Sequence, residues 1–181
     1  MFEPIVQHTP MKRVAEDILH APFLSKDFCQ TLFDFAKSFE GWESNRQDTH
    51  YSTHDCHLKK HAPVFYDIIS DALEEVIFPK AASWWEINAF EVSDMFIVKY
   101  SEETQKSLAY HHDESYISAS IKINDDYKGG VLNFPHKKYD NSNLSVGDII
   151  LWPSQITHLH GSSKVEGEKY SLTIWTQQCT K

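Results

Sequence analysis

The sequence predicts a mainly β fold of the α+β class, with helices first and a β-sandwich or jelly roll second. Three observations carry this. Apolar residues recur at the helical period as far as Pro79. From about Met95 the period changes to two, in short runs separated by Gly, Asn and Asp. No repeat, low-complexity tract or Gly/Ser linker divides the 181 residues, so one domain over 1–181 is expected. Its first 90 residues form a helix-rich part and residues 91–176 the β core that would carry any site. A chain of this length buries roughly 70% of its unfolded surface, enough for a core without disulfide staples.

Ser25 can cap a first helix carrying Phe28, Leu32, Phe35, Ala36 and Phe39, with Gly41 as its stop. A second helix starts near Pro63 and places Phe65, Ile68, Ile69, Ala72, Leu73, Val76 and Ile77 on one stripe, ended by Pro79. Both stripes are core faces. Strands follow at 96–100, at 116–123 and at 131–134 behind Gly129 and Gly130. Others follow at 148–152 behind Gly147, around 157–160, and at 169–175 behind Gly167. In 116–123, Ile117, Ala119, Ile121 and Ile123 share one face, with Ser118, Ser120 and Lys122 on the other.

Composition narrows the function. With 41% hydrophobic residues, 24% charged and a net charge of −9, this is ordinary globular material without a basic stripe, so nucleic acid is not an expected partner. No run is long and apolar enough for a membrane span, and MFEPIVQHTPMKR lacks the apolar region of a signal peptide. A cytoplasmic location without membrane contact is expected. Cys29, Cys56 and Cys179 show no metal-binding spacing and suit a reducing compartment. Histidine stands out, with 11 residues clustered at His50, His54, His57 and His61, at His111 and His112, and at His158 and His160.

His111 and Asp113 form an H-x-D element whose two side chains fall on one side of an extended chain. Alone it is weak, since such a pair arises about once by chance in a chain this rich in both residues. His158 and His160 offer a third ligand from a separate strand, completing two imidazoles and one carboxylate. That set covers one face of an octahedral Fe(II) and leaves three positions open. A structural zinc site would need a fourth ligand. Downstream, Lys169, Ser171 and Thr173 share one strand face while Tyr170, Leu172 and Ile174 share the other. A cation beside a hydroxyl can hold a carboxylate, and the same pattern also fits a solvated lysine on an edge strand.

Taken in order, QKSLAYHHD (105–113), NDDYKGG (124–130), WPSQITHLHG (152–161) and GEKYSL (167–172) resemble the catalytic domain of procollagen lysyl hydroxylases. These are Fe(II)/2-oxoglutarate dioxygenases of the prolyl 4-hydroxylase type. The likeness extends through FIVKY (96–100) and more loosely to THDCHLK (53–59) and FLSKDFC (23–29), about residues 23–175 in all. It implies a double-stranded β-helix, or jelly roll, with the N-terminal helices packed on one sheet. It implies His111, Asp113 and His160 as catalytic iron ligands, with His158 the runner-up. Lys169 stands where lysyl hydroxylases carry the arginine for the 2-oxoglutarate C5 carboxylate; collagen prolyl hydroxylases carry lysine there. Ser171 and Tyr100 would line the cosubstrate pocket. Between His160 and Lys169 the chain is one residue shorter than that family and lacks its proline.

The implied cofactors are Fe(II), 2-oxoglutarate as cosubstrate, O2, and ascorbate as reductant. The implied reaction is oxidative decarboxylation of 2-oxoglutarate to succinate with hydroxylation of an unactivated C–H bond. The partner is a peptide or small-molecule substrate, first of all a peptidyl lysine, with peptidyl proline, a free amino acid or another metabolite as alternatives. Collagen is not implied, because the collagen-modifying enzymes carry further domains. Two rival classes are a cupin-like zinc or manganese enzyme and a catalytically silent binding module. Asn124, Gly129 and Gly130 read as turn and bulge, and His112 as facing away from the metal. His54, Asp55, Cys56, His57 and His61 read as a strand and loop, with His57 near the substrate channel. Trp42, Trp84 and Trp85 read as core or rim. Substrate recognition and lid movement are expected of loops 136–143 and 48–60. Nothing in the sequence speaks to oligomeric state.

Overall fold

A computed structural model of the chain describes residues 3–6, 10–44 and 52–179. In chain order the elements are β1 (Lys12–Ala15), β2 (Ile18–Pro22), α1 (Lys26–Ser38), β3 (His54–His57), α2 (Leu58–His61), α3 (Pro63–Ala72), a π turn (Leu73–Ile77) and α4 (Phe78–Trp85). Then come β4 (Phe90–Ser101), β5 (Leu108–His111), β6 (Ile117–Lys122), β7 (Lys128–Gly129), β8 (Leu132–Phe134) and β9 (Tyr139–Asp140). The chain closes with β10 (Asp148–Pro153), β11 (His160–Ser162), β12 (Val165–Glu166) and β13 (Glu168–Gln178). A seven-stranded sheet runs β1-β2-β10-β6-β13-β4-β3, and a four-stranded sheet runs β5-β11-β8-β9. The strand pairs are antiparallel. This is the expected jelly roll.

Alternation decides what each face of the large sheet does. Ile121, Ile149, Leu172 and Ile174 point to one side, where Phe28, Leu32, Ile69, Leu73 and Ile77 of the helical layer cover them. All are essentially solvent-free, and each such side chain contributes roughly 1.5–3 kcal/mol relative to exposure. The opposite face turns toward the small sheet, where Ile18, Ile150 and Trp152 meet Phe134 of β8. The helices thus back one sheet, as the sequence suggests, and leave its other face as the wall of a cavity.

Helix α1 starts as read: the Ser25 hydroxyl accepts from the Phe28 backbone N–H at 3.2 Å. The second helix differs. Pro79 does not end it, because the Phe78 N–H bonds back to the Leu73 carbonyl in a wide π turn. Pro79 then lies in the first turn of α4, where no N–H is required. Two strands precede α1 and join the large sheet, β2 pairing with β10 more than a hundred residues on. They are short and joined by a turn in which Asp17, not glycine, takes a φ of 55°. The strand expected around 157–160 begins at His160, and the first one expected at 96–100 runs from Phe90 to Ser101.

Trp84 is exposed, while Trp42 and Trp85 pack against the helical core. Cys29 and Cys56 are buried free thiols that burial pushes up to about 12, so they are inert at neutral pH, and Cys179 is exposed and free. Among the described residues no helix is long and apolar enough to cross a membrane.

Candidate metal centre

The site begins with a register. His160, the first residue of β11, stands directly opposite His111, the last residue of β5. Asp113 follows two residues later and turns back toward both imidazoles. Its Oδ1 lies 3.1 Å from His111 Nε2 and its Oδ2 3.4 Å from His160 Nε2. Among the described residues these three form the one group whose ligand atoms all lie within 4.8 Å of one another in a metal-capable set.

Neighbouring groups orient all three. His111 Nδ1 lies 2.9 Å from the Ala109 carbonyl, and His160 Nδ1 lies 2.9 Å from the His158 carbonyl. A proton assigned to each Nδ1 satisfies those carbonyls and leaves both Nε2 lone pairs facing a carboxylate. Lone pairs and an anion repel unless a cation or protons sit between them, and the arrangement therefore fits a metal ion. The Ser118 hydroxyl donates to Asp113 Oδ2 at 2.6 Å and holds the carboxylate in place. Burial pushes the Asp113 carboxyl up; with protons on both Nε2 atoms as well, hydrogen bonds from His111 and His160, and their charge, outweigh it and hold the group well below the usual range.

His158 is elsewhere engaged. Its Nε2 lies 3.1 Å from the Glu16 carbonyl and its Nδ1 2.8 Å from the Thr157 hydroxyl, so both nitrogens are used away from Asp113. His112 is exposed. In the cluster His54, Asp55, Cys56, His57 and His61, the first four form β3 and His61 ends α2, and the cluster gives no metal-capable group among the described residues. His50, and residues 48–51 of the expected 48–60 loop, lie outside the described residues. The 136–143 loop contains a short 3₁₀ turn and β9, which pairs with β8 and so belongs to the small sheet.

The triad opens on a cavity of about 300 Å³. Strand β13 lies between β4 and β6 in the large sheet, which removes the edge-strand reading of its lysine. Lys169, Ser171 and Thr173 line the cavity while Tyr170, Leu172 and Ile174 join the helical core. Lys169 is 4% exposed. Its Nζ donates to the Gly130 carbonyl at 2.7 Å and to the Ser162 hydroxyl at 3.3 Å, and sits 4.7 Å from the Tyr100 ring centre. Burial, helped by the charge of Lys122, pushes its ammonium down to about 7. Among the described residues no carboxylate pairs with it.

Sequence reasoning missed four contributors. Gly130 is more than a turn: its φ of 60° aims the carbonyl at Lys169, and a Cβ there would lie 2.9 Å from Lys169 Cδ. Ser118 was legible as a polar residue on the non-apolar face of its strand, though not as the partner of Asp113. Ser162 falls past the strand's expected end. Trp152 packs its ring 5.0 Å from that of His160. Asn124 is structural as read, its side chain bonding the Glu168 carbonyl and the Tyr170 N–H. His57 does line the cavity.

No family model matches the chain. It is 26% identical over 173 residues to a multifunctional procollagen lysine hydroxylase and glycosyltransferase of Caenorhabditis elegans, covering 86% of this chain and 23% of the relative. It is 25% identical over 183 aligned positions to procollagen-lysine,2-oxoglutarate 5-dioxygenase 2 of Homo sapiens, covering 93% of this chain and 25% of that protein. The chain spans about a quarter of the length of the curated relatives it matches. Among solved structures it superposes on a prolyl-4-hydroxylase of Pseudomonas putida with a TM-score of 0.68 and 16% identity, over 91% of this chain and 94% of the other. An oxidoreductase of the 2OG-Fe(II) oxygenase family from Burkholderia pseudomallei gives a TM-score of 0.66 and 13% identity over 91% and 86%. The chain is thus a distant sequence relative of the procollagen lysyl hydroxylases, built on the jelly roll of the prolyl 4-hydroxylase type of Fe(II)/2-oxoglutarate oxygenases.

Proposed function

We propose that the protein is an Fe(II)- and 2-oxoglutarate-dependent hydroxylase acting on a peptidyl lysine, with O2 as the other substrate and ascorbate as reductant. One observation carries the reading. His160 and Ser162 both line the cavity two residues apart on β11, the first in the triad and the second against Lys169 Nζ. Two residues of strand span about 7 Å, the reach of a five-carbon dicarboxylate. An oxoacid with its keto-acid end at the triad therefore brings its far carboxylate to the buried ammonium.

The residues fit the metal. Two imidazoles and one carboxylate leave three coordination positions open, and no cysteine lines the cavity to close the set for structural zinc. When bound, the iron and the oxoacid supply the oxidative decarboxylation of 2-oxoglutarate to succinate and the hydroxylation of a C–H bond. The chain holds and shields them. His111, Asp113 and His160 hold the cation, and Lys169 with the hydroxyls of Ser162 and Ser171 holds the far carboxylate. A lysine is a point charge where arginine would offer a fork, so the hydroxyls supply the missing direction. Phe96, Val98 and Tyr100 with Val165 form an apolar cluster that keeps water from that carboxylate.

The names of the curated relatives support lysine as the residue modified in those proteins. The test is incubation with Fe(II), 2-oxoglutarate, ascorbate and lysyl peptides. The account expects succinate to form in step with a gain of one oxygen on lysine. Succinate formed in step with oxygen on proline alone would refute the lysine assignment and keep the hydroxylase.

A further inference from the structure

The cavity is electrically polar along its length. Lys169 stands at its closed end, flanked by Tyr100 and Ser171, all nearly solvent-free. Toward the other end, where Trp175 of β13 pairs with Asp94, the lining is half-buried Asp94 and His57 and exposed Glu114. Asp94 lies on the row of the large sheet that reaches Ser118, the residue that holds Asp113. It pairs with Trp175, Trp175 pairs with Ser118, and Ser118 donates to Asp113. Two strand spacings, about 10 Å, separate Asp94 from Ser118. The Asp94 carboxylate is oriented by the Met95 N–H at 2.8 Å and by His57 Nδ1 at 3.2 Å.

On the functional reading above, a divalent metal, Asp113, Lys169 and a doubly charged oxoacid sum to zero, while the buried Asp55, which accepts from the Thr53 hydroxyl, adds one negative charge to the lining. Asp94 and Glu114 are then left at the opening, making it negative by two with His57 neutral and by one with it protonated. At a partly desolvated rim this repels carboxylates and favours cations. We infer that Asp94, with Glu114 beside the triad, is the specificity-determining pair that takes the protonated amine of the substrate. Because the row that carries Asp94 reaches Ser118, which holds Asp113, that amine lies on the triad side of the cavity and away from Lys169.

The test compares peptides with a central lysine, norleucine or Nε-acetyllysine, read by succinate release and by perturbation of the visible band of the Fe(II)–2-oxoglutarate complex. The wild-type protein is expected to prefer lysine by about ten- to a hundredfold in kcat/KM, the scale of a charged hydrogen bond. Asp94→Asn keeps an acceptor for the Met95 N–H but removes the charge, and is expected to bring lysine and norleucine within about threefold. Asp94→Glu is expected to restore much of the preference, which a merely structural role for Asp94 would not do. Equal use of norleucine by the wild type, a lysine preference intact in Asp94→Asn, or a band that none of the peptides perturbs would overturn the inference alone. Absence of any band in the wild type would overturn the underlying functional reading, and this inference with it.

Discussion

His111 and His160 face each other across the β5–β11 ladder with ring centres 4.5 Å apart, so a single strand register sets two of the three candidate ligands. The two imidazoles come from segments almost fifty residues apart, and neither strand exceeds four residues. The geometry of the triad therefore rests on that one pairing.

The first prediction separates the two histidines of THLHG. His160→Ala should abolish Fe(II) binding while leaving the fold. His158→Ala should keep Fe(II) binding but lower stability by about 1–3 kcal/mol, since it strands the Glu16 carbonyl. Metal titration and thermal melting of both variants check this.

Ser118 carries a second prediction. Its hydroxyl donates to Asp113 Oδ2, so Ser118→Ala should weaken Fe(II) affinity by about 10–100-fold, as is usual for groups that orient metal ligands. Isothermal titration with Fe(II) under anaerobic conditions reads this directly.

Lys169 makes the protein's stability depend on pH. Its folded-state pKa of about 7 lies below the ordinary lysine value of 10.5, so between them the unfolded chain binds more protons. Stability of the metal-free protein should therefore rise with pH from about 7 toward 10, and level off at its lower value below about 7, where both states hold the proton. Lys169→Met should flatten that rise in a series of melting temperatures. Pairing with a carboxylate returns the proton, so 2-oxoglutarate affinity should fall as pH climbs above 7, with proton uptake visible in calorimetry across buffers.

Gly130 tests the clamp on that lysine. An alanine methyl would press on Lys169 Cδ from a backbone with φ of 60°, a conformation costing about 1–2 kcal/mol for a residue with a Cβ. Gly130→Ala should raise the 2-oxoglutarate KM about tenfold, with Fe(II) affinity unchanged. An equal loss of both would mean that Gly130 serves the fold alone.

What the sequence discloses follows from how local each signal is. The alternation in 169–175 sorts Lys169, Ser171 and Thr173 from Tyr170, Leu172 and Ile174 because period two is written along one strand. Ser25 and the α1 stripe are local in the same way. The choice between His158 and His160 is not, since it depends on the register of β11 against β5. The pairing of β2 with β10 and the use of the Gly130 carbonyl by Lys169 are equally non-local. Pro79 misleads for another reason: the π turn that carries the chain past it has no sequence signature of its own.

The central claim is that one cavity holds a metal on His111, Asp113 and His160 and an oxoacid between that metal and Lys169. Anaerobic titration with Fe(II) and 2-oxoglutarate tests it most directly, through the weak visible charge-transfer band that a chelated oxoacid gives on ferrous iron. The account predicts a band in the wild type and in His158→Ala, none in His160→Ala, and a band needing far more 2-oxoglutarate in Lys169→Met. A folded wild-type protein that binds Fe(II) and shows no band at any 2-oxoglutarate concentration would contradict it.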